Sequence, residues 1–502
     1  MTAITTDAAC PFGKGFDFTD PDVLESGLPM TEFAHLRQTA PVWWNEQPLG
    51  TSGFTDGGYW VISRHRDVRE ISKNNQVWST NANGAIIRLP DYVTPDQIEF
   101  TKALLVNHDP PEHTRLRKIV SRLFTPKAVG SLEESLASSA RQIVESAAAK
   151  ESGNFVDDVA IHLPLQAILD LIGLPTADRP RIHELVDAII NSDDPDHTID
   201  PAMANAELLG YAYSMAEERR RNPTDDIVTT LIEADIDGES LSDIEFGFFV
   251  ILLITAGNET TRNATSHGMN AFMSHPAQWE LFKSQRPKTT IDEVLRWSTP
   301  VNAFQRTAKV NTSIEGVDIA AGQRVGIFYG SANYDEDVFD DPFTFDILRD
   351  PNPHLAFGGN GAHFCIGANL ARLELNLILN AVADVLPDIE KIGDLRRVRS
   401  GWLNGVKDLP VRYGATGQPP AAPYRTGRSL TPLSQPDRTR RSSPIRSMSG
   451  STSAIALRIR ESSRRARLAP MQKWAPLPPK ARCGLGSRRM LNVNGSSKTS
   501  SS

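Results

Sequence analysis

An unbroken apolar run constrains the fold of this chain more than any other feature. It covers residues 246–256, and a helix through it would have no polar face. A helix that is apolar all round lies in the middle of a large protein. Ser242 and Glu245 stand just before the run in the capping-box pattern that begins a helix. Because the run is too short to span a bilayer, we predict the central helix of a globular protein.

Helical patterns also dominate the rest of the chain up to about residue 415. Ser131 and Glu134 repeat the capping-box pattern, and apolar residues follow at helical spacing. Residues 370–386 read as another helix, whereas residues 59–62 and 325–329 read as short strands. These patterns predict a mainly α protein with small β-sheets.

Charge is distributed unevenly along the 502 residues, whose formal net charge is −8. Residues 416–502 contain 17 Lys and Arg but only two acids, with abundant Ser and Pro. We predict a flexible arm at 1–15, a folded domain at 16–415 and a basic, disordered tail at 416–502. The tail lacks interleaved aromatic residues and any amphipathic period. A solvated tail, or a non-native extension of the reading frame, is therefore favoured over a nucleic-acid or membrane ligand.

The cysteines and the N-terminus indicate the compartment. Cys10, Cys365 and Cys483 lie far apart, which is not the spacing of a disulfide framework or a multi-cysteine zinc site. The N-terminal residues are polar and lack the apolar core of a signal peptide. We therefore expect a cytoplasmic protein without a transmembrane anchor.

Cys365 lies in a glycine-rich segment, residues 354–372, that continues into a helical pattern. Glycines let backbone N–H groups approach a sulfur atom, and a helix N-terminus adds partial positive charge. Both favour a thiolate, the form of cysteine that serves as an axial ligand of haem iron. A buried free cysteine in a glycine-rich turn is the alternative.

Three further residue pairs carry polar groups at informative spacings. Glu259 and Thr260 follow the apolar run, where we expect the helix to break, and polar groups there are costly unless they are used. Glu293 and Arg296, at i,i+3 spacing, suit an ion pair. His113 and Arg117, at i,i+4 spacing, suit an anion-binding site. Taken singly, a helix cap explains the first pair about equally well, whereas a surface salt bridge and a solvated basic face are the commoner explanations of the other two pairs.

The order and spacing of these segments resemble the cytochrome P450 family over residues 16–412. The motif Gly361-x-His363-x-Cys365-x-Gly367 matches the second half of the family's haem-binding loop. The first half departs, because Phe357 lies eight residues before the cysteine, where the family usually has seven. The resemblance implies the cytochrome P450 fold, with a long central helix over haem b (iron protoporphyrin IX).

The resemblance also assigns roles to individual residues. It implies Cys365 as the iron ligand, Glu259 and Thr260 as the proton-delivering pair, and a structural trio of Glu293, Arg296 and Arg349. Haem contacts are implied for His113, Arg117, Arg306, His354, Phe357, Gly358, His363 and Gly367. The segment over the haem implies a substrate wall of Val301, Ala303 and Phe304.

Several stretches are most similar to actinobacterial steroid side-chain 26/27-hydroxylases, which act on cholesterol or cholest-4-en-3-one. They are residues 16–22, 41–45, 237–243, 256–263 and 399–405. This similarity implies a monooxygenase that hydroxylates the terminal methyl group of a sterol side chain with O2, and possible further oxidation to the acid. Branched fatty acids or terpenoids remain alternative substrates. A peroxygenase and a haem-binding sensor without turnover remain alternative functions.

Electron supply is expected from other proteins. The sequence contains no dinucleotide-binding fingerprint in a βαβ context and no cysteine cluster for an iron–sulfur centre. A ferredoxin and a ferredoxin reductase that draw on NAD(P)H are therefore the expected partners, and no nucleic-acid partner is expected.

Overall fold

A computed structural model describes residues 12–13, 15–196, 199–224, 226–233 and 241–414 of the chain. The predicted tail at 416–502 and most of the predicted arm at 1–15 lie outside the described residues, as do Cys10 and Cys483. The proposed domain boundaries therefore remain predictions.

Helices dominate the described residues, in agreement with the sequence patterns. The α-helices are α1 (Pro21–Ser26), α2 (Met30–Thr39), α3 (His65–Lys73), α4 (Pro95–Thr101), α5 (Glu112–Ser121), α6 (Pro126–Gly130), α7 (Glu133–Ala148), α8 (His162–Leu171), α9 (Arg179–Ile190), α10 (Pro201–Arg221), α11 (Ile227–Ile232), α12 (Asp243–Ser274), α13 (Pro276–Gln285), α14 (Thr290–Ser298), α15 (Tyr329–Ala332) and α16 (Ala368–Val385).

The strands are short and form small sheets. They are β1 (Val42–Glu46), β2 (Gly58–Ile62), β3 (Trp78–Ser79), β4 (Ser152–Asn154), β5 (Ala303–Ala308), β6 (Thr312–Ile314), β7 (Val317–Ile319), β8 (Arg324–Phe328), β9 (Glu390–Lys391), β10 (Arg396–Arg397), β11 (Val406–Asp408) and β12 (Pro410–Arg412). The largest sheet has the order β1-β2-β8-β5-β3, the second has the order β4-β12-β9, and β6-β7 and β10-β11 are separate pairs. The strands predicted at 59–62 and 325–329 are confirmed as β2 and β8.

Alternate residues of β2 pack on opposite faces of the large sheet, as the two-residue period of a strand requires. Trp60 and Ile62 join one apolar cluster. Tyr59 and Val61 join another, which contains Phe18 and Ala303. The third and largest cluster is mainly helical and includes the buried apolar residues of α12.

The apolar run forms the central helix that the sequence predicts. Ser242 accepts a hydrogen bond from the backbone of Glu245, and both halves of the capping box are present. The resulting helix, α12, packs against α8, α9, α10, α14 and α16. It is much longer than the run itself and is apolar enough to cross a membrane by length and composition alone. However, 61% of its most apolar window is buried inside the protein, which is typical of a core helix.

The prediction of a second capping box at Ser131 is wrong. The Ser131 hydroxyl donates to the carbonyl oxygen of Ala128, in the last turn of α6. The following helix, α7, has Leu132 at its N-cap position and no side-chain cap. The hydroxyl is therefore used by the helix that ends there and not by the helix that begins.

Candidate active site

A large apolar cavity lies between α12, α16 and the Cys365 loop. Its empty volume is about 1500 Å³, including its open mouth. The site residues predicted from the sequence that line it are His113, Arg117, Thr260, Val301, Arg306, Phe304, Phe357, Gly358, His363, Cys365 and Gly367. The structure thus brings together residues that are separated by more than 250 positions in the chain.

Cys365 presents its thiol to this cavity. Its accessible surface faces the cavity, in whose wall it lies, while the surrounding protein keeps the thiol away from bulk water. Its backbone N–H donates to the carbonyl oxygen of Phe357 at 3.0 Å, which closes the loop. Burial raises the pKa of the Cys365 thiol, and a hydrogen bond from the Gly367 backbone and the charge of Arg117 oppose this increase only in part.

The backbone N–H group and the positive charge that the glycine pattern suggested do lower the thiol pKa, but by less than burial raises it. A bound metal cation would ionise the Cys365 thiol, because a coordinating thiol is deprotonated outright by the ion it binds.

The loop glycines are needed for close packing against α3. A Cβ atom at Gly361 would lie 1.7 Å from the carbonyl oxygen of Ser72, and one at Gly359 would lie 2.5 Å from the Ser72 hydroxyl. Gly358 and Asn360 adopt positive φ angles of 92° and 63°. The segment between Phe357 and Cys365, which is one residue longer than the family pattern, therefore contains two left-handed residues.

Four basic side chains form one wall of the cavity. His113 and Arg117 project from α5, Arg306 from β5 and His363 from the Cys365 loop. The rings of His113 and His363 lie 4.2 Å apart between centroids. Burial, followed by the charge of Arg117, lowers the pKa of His113 to about 4, and burial followed by the charge of Arg306 lowers the pKa of His363 far below its usual value.

This basic wall fits a ligand that carries carboxylates. The Nδ1 atom of His113 is buried and has no hydrogen-bond partner among the described residues. The guanidinium of Arg306 donates to the carbonyl oxygen of its neighbour, Gln305, at 2.7 Å. Anionic groups would stabilise the two guanidinium cations of this wall, Arg117 and Arg306, whose charged forms are disfavoured by burial. An apolar cavity with a thiol and a basic wall has the donors that a haem with two propionates requires.

His354 does not join this wall. Its Nε2 atom lies 3.1 Å from Asp292 Oδ1, and the Nε atom of Arg372 lies 2.9 Å from the same oxygen. The His354 ring contacts Phe357, with 5.8 Å between ring centroids. A direct haem contact of His354 therefore remains a prediction, whereas a role behind Phe357 agrees with the geometry.

The acid–alcohol pair lies in an intact helix, so the expected break at Glu259 and Thr260 is wrong. The Thr260 hydroxyl donates to the carbonyl oxygen of Ala256 at 2.8 Å, one turn back along α12, and Thr260 lines the cavity. Glu259 is not among the lining residues. It accepts hydrogen bonds from Arg262 at 2.5 Å and Asn263 at 3.0 Å, and burial raises the pKa of its carboxyl.

The cavity wall does contain a carboxyl group, at Glu374 of α16. This residue is not among those predicted from the sequence. An acid between Leu373 and Leu375, in an apolar helix, is the same signal that singled out Glu259.

Two of the three residues predicted for the substrate wall line the cavity. They are Val301 and Phe304. The Phe304 ring stacks on Trp402, with 6.1 Å between ring centroids. Ala303 packs instead in the apolar cluster on the other face of the sheet. Neighbouring residues of a strand point to opposite faces, so Ala303 and Phe304 cannot both face the cavity.

Glu293, Arg296 and Arg349 form the trio implied by the resemblance. Arg296 and Arg349 both donate to the carboxylate of Glu293, and the trio lies apart from the cavity lining.

Comparison with known proteins agrees with this site. A model of the family "Cytochrome P450" matches residues 288–383. The chain is 59% identical over 400 residues to a steroid C26-monooxygenase of Rhodococcus jostii (strain RHA1); these residues are 80% of this chain and 85% of the relative. A steroid C26-monooxygenase of Mycobacterium tuberculosis (strain ATCC 25618 / H37Rv) is 55% identical over 410 residues, 81% of this chain and 94% of the relative.

A methyl-branched lipid omega-hydroxylase of the same Mycobacterium tuberculosis strain is 40% identical over 393 residues, 76% of this chain and 90% of the relative. Among solved structures, Mycobacterium marinum cytochrome P450 CYP268A2 in complex with pseudoionone is similar with a TM-score of 0.71 and 35% identity. That match covers 78% of this chain and 95% of the other. CYP109E1 from Bacillus megaterium in complex with corticosterone gives a TM-score of 0.66 and 31% identity, over 77% and 98% of the two chains.

Proposed function

The chain belongs to the cytochrome P450 family, and we propose that this monooxygenase hydroxylates the terminal methyl group of a sterol side chain, such as that of cholesterol or cholest-4-en-3-one. The observation that carries the proposal is the 53–59% identity to steroid C26-monooxygenases over about four fifths of the chain. Repeated turnover would take the alcohol on to the carboxylic acid.

The family implies a haem iron, and haem b is the form that we propose. Cys365 would be its axial ligand, and His113, Arg117, Arg306 and His363 would hold its propionates. Phe357, Gly358 and Gly367 would lie against it, since all three line the cavity beside the thiol. When bound, the haem supplies the activation of O2 and the oxidation of the C–H bond.

Electrons come from redox partners, as the family implies. We propose a ferredoxin and its reductase, with NAD(P)H as the source, and a cytoplasmic location. The reaction inserts one oxygen atom of O2 into the substrate and reduces the other to water. Each turnover therefore also consumes two protons, which the protein has to deliver inside an apolar cavity.

The substrate would be held by apolar burial. Phe249, Leu252, Leu253, Val301 and Phe304 contribute to a lining that suits a long, uncharged lipid. Burial of apolar surface stabilises such a complex by roughly 25 cal/mol per Å² without polar anchors. The 40% identity to a methyl-branched lipid omega-hydroxylase supports a branched fatty acid as the second candidate substrate.

A spectral titration followed by product analysis tests the substrate. We expect cholest-4-en-3-one to shift the haem absorption spectrum of the holoenzyme at lower concentration than a methyl-branched or a linear fatty acid. With ferredoxin, reductase and NADPH, mass spectrometry should find the terminal side-chain alcohol. A shift with fatty acids but none with the steroid would contradict the sterol assignment and leave the monooxygenase intact. Product formation with hydrogen peroxide alone, at the same rate, would favour a peroxygenase.

Thr260 is proposed to deliver protons from the cavity wall, with Glu259 behind it. Thr260→Ala should leave haem and substrate binding unchanged, because the hydroxyl already bonds within its own helix. It should lower the ratio of product to NADPH consumed by about tenfold, with the electrons lost to hydrogen peroxide.

The matched control is Thr255→Ala. Thr255 makes the same bond to the preceding turn, to Ile251 at 2.8 Å, but does not line the cavity. Equal coupling ratios in the two variants would show that Thr260 has no part in proton delivery.

A further inference from the structure

A cluster of three polar side chains lies behind Phe357, beside the Cys365 loop. Asp292 belongs to α14, Arg372 belongs to α16, and His354 lies at the start of the glycine-rich segment. The described residues that line the cavity include Phe357 but none of these three. The proposed reaction does not yet use this group of residues, the Asp292 cluster.

Two hydrogen bonds fix the carboxylate at the centre of the cluster. His354 Nδ1 accepts from the backbone N–H of Ala356 at 3.2 Å, so the Nε2 atom carries the hydrogen that His354 donates to Asp292 Oδ1 at 3.1 Å. Arg372 Nε donates to the same oxygen at 2.9 Å. Burial alone would raise the pKa of Asp292, but the bond from His354 and the charge of Arg372 hold it below its usual value. Asp292 is therefore an anion at neutral pH.

Asp292 in turn places the guanidinium of Arg372 over the ring of Phe357. The central carbon of the guanidinium lies 4.5 Å from the ring centroid, within the roughly 6 Å over which a cation attracts an aromatic face. The carbonyl oxygen of Phe357 accepts the backbone N–H of Cys365 at 3.0 Å. The cluster therefore holds the residue whose carbonyl group closes the loop around the thiol.

The charge of Arg372 also acts on the sulfur atom. Burial raises the pKa of the Cys365 thiol, and the charges of Arg117 and Arg372 act in the opposite direction. Arg117 belongs to the basic wall of the cavity, whereas Arg372 acts from behind the loop. Groups behind a metal ligand alter the reduction potential of the metal. A nearby positive charge favours the addition of an electron, and a nearby negative charge opposes it.

We propose that the Asp292 cluster sets the reduction potential of the haem iron bound to Cys365. Arg372 provides the charge that raises the potential, and Asp292 provides the charge that limits this increase. His354 is a positioning residue, because it orients Asp292. The potential determines how readily a redox partner can deliver electrons, so the cluster has a defined use in a monooxygenase. The proposal rests on ligation of the iron by Cys365 and not on the sterol.

Redox titration of the substrate-free holoenzyme tests the two charges separately. Arg372→Gln removes the positive charge and should lower the reduction potential. Asp292→Asn removes the negative charge, keeps an oxygen that can accept from His354, and should raise the potential. Arg372→Lys keeps the charge and should restore most of the wild-type potential. Loosened packing of Phe357 would shift Arg372→Gln and Asp292→Asn in the same direction. Shifts of the same sign, or no shift in either variant, would therefore overturn the proposal.

The matched control is the pair of Arg286 and Asp384. The guanidinium of Arg286 lies 4.9 Å from the ring centroid of Phe282, and its Nη2 atom donates to Asp384 Oδ1 at 2.6 Å. These three residues are not among the described residues that line the cavity. Arg286→Gln and Asp384→Asn should leave the potential unchanged. Shifts as large as those of the cluster variants would show that the effect is not specific to the Asp292 cluster.

The spectrum of the reduced, carbon-monoxide-bound protein separates this proposal from the assignment of the ligand. The variants at Asp292 and Arg372 should keep the absorption band of thiolate ligation, because none of them removes the sulfur atom. If the wild type lacks the band, the assignment of Cys365 fails and the proposal fails with it. If the band is present and the potentials are equal, only the role of the cluster is refuted. Loss of the band in either Arg372→Gln or Asp292→Asn would assign the cluster a structural role instead.

Discussion

Cys365→Ser should abolish the red-shifted absorption band that thiolate ligation gives to the reduced, carbon-monoxide-bound haem. A serine hydroxyl stays protonated under conditions in which a metal-bound cysteine is a thiolate. The basic wall of His113, Arg117, Arg306 and His363 does not depend on the sulfur, so we expect the variant to take up haem with a changed spectrum. Turnover should fall to background, because the electron donation of the thiolate that favours O–O cleavage is lost.

Two comparisons make this result decisive. Cys483→Ser removes a different thiol of the same chain and should leave the spectrum unchanged. If Cys365→Ser takes up no haem, resonance Raman spectroscopy of the wild-type holoenzyme should still detect an iron–sulfur stretch. A normal band in the Ser variant, or the absence of that stretch in the wild type, would contradict the assignment of Cys365.

Residues that line the cavity could be predicted from the sequence when they belong to short local motifs. Cys365, Thr260 and the pair of His113 and Arg117 lie in short segments whose spacing survives folding, and all four residues line the cavity. The central helix was also predictable, since an apolar run after a capping box leaves few other structures. Ser131 shows the limit of this reasoning, because the preceding helix uses the same hydroxyl.

Other features depend on contacts between distant segments. His354 bonds to Asp292, 62 residues earlier in the chain, and no local pattern indicates that contact. Ala303 faces away from the cavity because the register of β5 against β8 pairs Phe304 with Ile327 and determines which residues face inward. For Glu259, by contrast, the sequence does place Arg262 and Asn263 at i+3 and i+4, where they could be expected to engage the carboxylate.

The buried trio of Glu293, Arg296 and Arg349 should have the largest effect on stability. Glu293 and Arg296 are both 0% exposed. Two parallel hydrogen bonds of 2.8 Å join them, from Arg296 Nε and Nη2 to the two carboxylate oxygens of Glu293. Arg296 also donates to the carbonyl oxygens of Asn333 and Pro342. The pair therefore attaches α14 to the segment that leads towards the Cys365 loop.

Arg296→Ala should lower the free energy of unfolding by about 3–5 kcal/mol, because it leaves the Glu293 carboxylate buried without its main partner. Proteins of ordinary stability have only about 5–15 kcal/mol to lose, so poor haem retention and a clearly lower urea midpoint are expected. Glu293→Gln should cost less than Arg296→Ala, because the amide oxygen can still accept a hydrogen bond from Arg296, which also keeps its bonds to the carbonyl oxygens of Asn333 and Pro342.

The surface pair of Glu280 and Lys283 is the matched control, with the same i,i+3 order of charges. Its atoms lie 2.7 Å apart, but the side chains are 70% and 19% exposed. Water screens such a pair, so Lys283→Ala should change the free energy of unfolding by no more than about 1 kcal/mol. The double variant Glu293→Leu with Arg296→Leu should be more stable than Arg296→Ala, because it removes both charges together. If Arg296→Ala, Glu293→Gln, Lys283→Ala and the double Leu variant all have the same urea midpoint within error, burial of the trio contributes nothing specific to stability.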